Sequence, residues 1–165
     1  MKPSFKFGSI SSITGVIGAA LLLFSACSSA GETKALALLG YNHTGSEIAS
    51  YEVTVGTKKR EGGYIGPGQG GGSSICCVIV PKHWTQGMTA NVSILRYDGK
   101  NFNTTNHRVD VPKYDGERDT SFSVHFLHDG RIKVFVSQYH LGHRDYPLKG
   151  KDAEMRPGES IEIIN

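Results

Sequence analysis

The chain has 165 residues, a formal net charge of +3 and 38% hydrophobic residues. That length holds one domain with short flanking segments. The composition is too apolar for a disordered polyelectrolyte and too polar for a multi-span membrane protein, and +3 is no basic face for nucleic acid.

The first 26 residues read as an export signal. Lys2 and Lys6 give a basic start, and no acidic residue occurs before Glu32. Ile13 to Phe24 is an apolar run, too short to span a bilayer but suited to the core of a signal peptide. It ends in Leu23-Phe24-Ser25-Ala26-Cys27, which resembles the bacterial lipobox, with Phe24 where leucine is usual. In that signal class the cysteine thiol takes a diacylglycerol and becomes the new N-terminus. Cys27 is therefore the expected lipid-attachment residue; an ordinary secretory cut near Ala26 or Ala30 is the alternative. Acyl chains contribute about 0.8 kcal/mol per buried methylene, so such an anchor is close to irreversible. Serine at position 28, not aspartate, resembles the signal for the outer membrane over the inner. Loss of the signal removes two lysines and lowers the net charge from +3 to +1.

Residues 28–33 are small and polar, and 27–33 is read as a tether. Strands are expected at Lys34–Tyr41, Glu47–Val55, Ile75–Val80, Thr89–Tyr97, Phe102–Val111, Ser121–Leu127 and Ile132–Val136. Between the second and third lies EGGYIGPGQGGGSS (Glu61–Ser74), seven glycines in fourteen residues, expected to hold no regular element. Asp98-Gly99 and Asp129-Gly130 mark hairpin turns. Phe122, Val124 and Phe126 alternate with Ser121, Ser123 and His125, the signature of a half-buried strand. No helical stripe of ten residues occurs. The expected fold is all-β, a single antiparallel β-sandwich or barrel-like domain of about seven strands over residues 34–137. Residues 138–165 are expected to be a C-terminal extension, charged, Pro-containing and extended from Asp145 on, with Ile161–Ile164 docking as an edge strand.

Catalytic constellations are lacking. There is no Gly-x-Ser-x-Gly elbow and no phosphate loop. His125/His128 and His140/His143 are spaced three apart, but on a strand end and in a loop such rings diverge. Solvated histidines are expected, with no metal, cofactor or catalytic residue. Cys76 and Cys77 are adjacent and would lie in an oxidising compartment. On a regular strand their side chains point to opposite faces. A vicinal disulfide, two separate thiols, and a redox or metal role all remain open. Tyr64 and Ile65, at the tip of the glycine-rich loop, and Trp84 are the candidate partner-binding residues, because exposed aromatics are enriched at binding hot spots.

Three segments carry a resemblance: Gly40-Tyr41-Asn42, GGGSSICCV (Gly70–Val78) and FSVHFLHDGRIKV (Phe122–Val134). Together they resemble a family of proteobacterial lipoproteins built on a domain of unknown function, over roughly residues 36 to 137. Members are encoded beside phospholipase effectors of the type VI secretion system and look like immunity proteins. The resemblance implies a periplasm-facing, lipid-anchored inhibitor of such a secreted phospholipase and supplies no catalytic residue. A general envelope lipoprotein that binds another envelope or secretion component is the alternative.

Overall fold

The computed structural model describes residues 31–70 and 75–159. The expected export signal, Cys27, most of the expected tether and the expected Ile161–Ile164 strand lie outside the described residues. Nine strands occur among them: β1 (Thr33–Asn42), β2 (Ser50–Val55), β3 (Lys58–Gly62), β4 (Gln69–Gly70), β5 (Ile75–Pro81), β6 (Thr89–Tyr97), β7 (Phe102–Asp110), β8 (Ser121–Phe126) and β9 (Ile132–Ser137). No described segment is an α-helix; one 3-10 turn forms at Gly150–Asp152. No described helix is long and apolar enough to cross a membrane.

Two sheets face each other as a sandwich that does not close into a barrel. One has the order β3-β2-β6-β7, all antiparallel. The other runs β4-β1-β8-β9, with β5 sharing the outer edge of β1 with β4. β1 and β8 pair in parallel, from Ala37 opposite Ser121 to Asn42 opposite Phe126. Every other pair is antiparallel. All seven expected strands are present at nearly their expected bounds.

Alternation builds the core as it should. Tyr51, Val53 and Val55 of β2 and Ala90, Val92 and Ile94 of β6 point inward from one sheet. Leu36, Leu38, Val78, Val80, Phe122, Val124, Phe126, Val134 and Val136 meet them from the other. Burying each large aliphatic or aromatic side chain contributes roughly 1.5–3 kcal/mol, so these layers are the main source of stability.

Two expectations fail, each for a physical reason. The glycine-rich segment is not devoid of regular structure. Glu61-Gly62 ends β3, Gln69-Gly70 forms β4 against Tyr41-Asn42, and Ile65 bridges Ile48. Its glycines serve close packing as well as turning. A Cβ at Gly62 would overlap the Tyr51 ring, and one at Gly70 would strike the Gly40 carbonyl.

The second failure is at the C-terminus. The segment from Asp145 to Glu154 is no extended tail: with residues 138–144 it forms a strap. The strap lies across the outer face of the β1-β8-β9 sheet, where Tyr146, Leu148 and Ala153 pack on Leu127 and Phe135 in a second apolar cluster. β8 is consequently buried along its whole length, on both faces. Its outward residues Ser121, Ser123 and His125 read as solvent-facing by alternation, but the sequence-distant strap covers them.

Candidate functional site

Tyr64, Ile65 and Trp84 do not form one patch. Tyr64 is 62% exposed, and its hydroxyl donates to Glu47 Oε2 at 3.3 Å. Ile65 is a core residue, paired to Ile48 and packed toward Gly40, so it is not available to a partner. Trp84 is half-buried, its indole N–H donating to the Val111 carbonyl at 2.8 Å. It follows Pro81, which pairs with Thr33 at the start of β1. Tyr64 lies by Asn42 at the other end of that strand, because Asn42 Nδ2 donates to the carbonyls of Ile65 and Gly66. Ten strand residues separate these ends by about 30 Å.

Tyr64 has other company. Tyr97 and Phe102, at the tip of the β6-β7 hairpin, are 45% and 63% exposed, with ring centroids 5.1 Å apart. The Ala49 N–H donates to the Leu95 carbonyl, which ties this hairpin tip to the β1-β2 loop that carries Glu47. The three exposed large hydrophobics among the described residues thus flank the same end of the sandwich. The sequence signal for Tyr97 and Phe102 is their place either side of Asp98-Gly99, where a register pair at a hairpin tip has no third strand to cover it.

Cys76 and Cys77 follow Ile75 at the start of β5, and the structure places their sulfurs in a disulfide across a cis peptide. Cys76 is exposed. Arg60 Nε of β3 donates to the Cys77 carbonyl at 3.1 Å, bridging the adjacent edges of the two sheets.

The histidines hold the finding that alternation missed. His125 is fully buried, not solvated, and stacks face to face on Tyr41 with centroids 4.6 Å apart. His43, also buried, approaches through Nε2, 2.9 Å from His125 Nδ1. His43 Nδ1 lies 2.8 Å from the Glu154 carbonyl, and His125 Nε2 lies 2.6 Å from the Tyr146 hydroxyl. A carbonyl only accepts, so the hydrogens run one way. Tyr146 O–H donates to His125, His125 Nδ1–H to His43, and His43 Nδ1–H to Glu154. Burial holds His125 well below the usual imidazole range and lowers His43 as well, so both rings are neutral. Burial likewise pushes the Tyr146 phenol up. His128 is exposed and donates to the same Glu154 carbonyl at 3.1 Å; His140 is exposed.

Among the described residues no three His, Cys, Asp or Glu side chains converge to hold a metal ion. A groove of about 560 Å³ separates β7 from β9 and carries Arg108, Asp110, Arg131 and Lys133. Arg131 and Lys133 are already engaged by Asp152, at 2.9 and 2.8 Å.

Residues 41–134, more than half of the chain, match the family described as "Protein of unknown function (DUF3304)". The chain belongs to the DUF3304 family. No curated protein and no solved structure matches it. The DUF3304 match begins at Tyr41 and ends at Val134, so it takes in Tyr64, the cysteine pair, Trp84, the aromatic hairpin and both buried histidines. Tyr146 and Glu154, which close the histidine chain, lie beyond it.

Proposed function

We propose that this DUF3304 protein is a lipid-anchored protein of the bacterial cell envelope that faces the periplasm and works by binding another protein. Its partner in this reading is a phospholipase effector of the type VI secretion system, which it inhibits as an immunity protein. The anchor is Cys27, and the membrane is the outer one. The partner's identity is supported by the resemblance carried by the glycine-rich, Cys-Cys and Phe122–Val134 segments. The binding role is supported by one observation above all, the convergence of exposed Tyr64, Tyr97 and Phe102 on one end of the sandwich. Tyrosine and other rigid aromatics dominate binding energy while costing little side-chain entropy.

The five residues between Cys27 and Thr33 span at most about 20 Å. Within the domain, the aromatic end lies at the far end of β1 from Thr33, where the described strand begins. An inhibitor held near the membrane is concentrated where a phospholipase does damage.

The test is a strain lacking the gene, challenged by sibling attackers and complemented with the triple variant Tyr64→Ala/Tyr97→Ala/Phe102→Ala. Truncating hot-spot aromatics costs about 2 kcal/mol or more each, so affinity falls at least about thirtyfold and protection is lost. The urea midpoint stays near that of the parent, because all three side chains are exposed. Full protection by a folded triple variant would overturn the assignment of this surface. Survival of the strain without any copy of the gene would overturn the immunity reading.

A further inference from the structure

The strap over the outer sheet face is fastened at two points by titratable groups. Tyr146 grips His125 of β8, and the Glu154 carbonyl grips His43 just after β1. Between the grips, Leu148 and Ala153 cover Leu127 and Phe135. We propose that residues 138–154 are an acid-released strap, which protonation of the His43–His125 pair detaches from the β1-β8-β9 sheet to expose an apolar face.

The argument rests on hydrogen counting in a closed site. In the neutral chain each ring nitrogen has one partner of the right kind. The His43–His125 contact holds one hydrogen between two nitrogens, and His43 must keep its other hydrogen on the Glu154 carbonyl. One more proton can then enter only at His125 Nε2, where it meets the hydroxyl hydrogen of Tyr146. Keeping the contact requires Tyr146 to turn its hydrogen elsewhere while a full positive charge sits on a ring with no exposure to water. A buried charge is tolerated only when it is paired.

The surroundings do not pair it. From β1 the ring is covered by Tyr41, a neutral phenol. From β9 it faces Lys133, which repels an imidazolium. From the turn after β8, His128 lies against His43 and disfavours its charge too. From the strap come Tyr146 and, near His43, Asp152, whose carboxylate is already held by Lys133 and Arg131. The Glu154 carboxylate accepts from the Gly158 N–H. The proton is therefore accommodated by letting the strap go and hydrating both rings. Tyr146 packs in the second apolar cluster, apart from the one that joins the two sheets.

The experiment is amide hydrogen exchange on the full chain at about pH 7.5 and about pH 5, corrected for intrinsic rates, with Trp84 emission as a monitor of the core. Protection of 139–154 is expected to fall at least about tenfold in acid. β2 and β6 should remain better protected than the strap at both pH values, and Trp84 emission should hold. His43→Gln/His125→Gln removes both titrating rings and should abolish the pH response. Tyr146→Phe, which deletes one grip but no charge, should loosen the strap at neutral pH. Equal strap protection at both pH values overturns the proposal, as does loss of β2 and β6 together with the strap. Should the double variant not fold, His125→Gln alone decides. It removes the ring that takes the proton while its amide can still accept from Tyr146 and donate to His43, so an undiminished pH response there would also overturn the proposal.

Discussion

Tyr51 shows how closely single residues are bound to their neighbours. Its ring lies where side chains at Gly40 and Gly62 would otherwise be, one on each sheet. Gly62→Ala therefore overpacks the core and is expected to cost about 1–3 kcal/mol, read from the urea midpoint at constant slope. Gly63→Ala, with open space around its Cβ, should be close to neutral and serves as the control. The buried histidines make a second prediction at this scale. Burial lowers both His43 and His125, so the unfolded chain binds protons more readily than the folded one. Stability is then full above the unfolded imidazole pKa of about 6.5 and falls as pH drops below it. The unfolding midpoint of the parent should decline through that window, and that of His43→Gln/His125→Gln should decline less.

Among the elements, those with strict alternation were legible in the sequence. The β8-β9 hairpin, turning at Asp129-Gly130, and the β6-β7 hairpin, turning at Asp98-Gly99, stand where period-two patterning and turn chemistry put them. β3 and β4 were not legible. KKREG has no apolar alternation, and it becomes a strand because β2 offers it an edge. Gln69-Gly70 pairs because glycine lets its backbone approach β1. The strap was illegible for a related reason. Tyr146, Leu148 and Ala153 are too few and too irregularly spaced to signal an element, yet all are buried. A chain ended after Ser137 uncovers Phe135, Leu127 and the stacked Tyr41–His125 pair. Its expected behaviour is a lower thermal midpoint and concentration-dependent association by light scattering, since an apolar face of that kind drives aggregation.

At the scale of the whole molecule, candidate-site legibility was partial. Tyr64 was identified correctly as exposed, but Ile65 turned into the core and Trp84 went to the opposite end. Its actual companions, Tyr97 and Phe102, come from a hairpin more than thirty residues away in sequence. No local pattern announces that meeting.

The sequence by itself determined the all-β class, the seven principal strands and two hairpins, because alternation and turn residues act over a few neighbours. Only the tertiary structure decided the parallel β1-β8 pairing, the burial of His43 and His125, and the end at which the aromatics gather. Those features depend on which faces meet across large sequence separations. A strand's pattern states that one face is buried; it cannot state that a distant segment will come to bury the other.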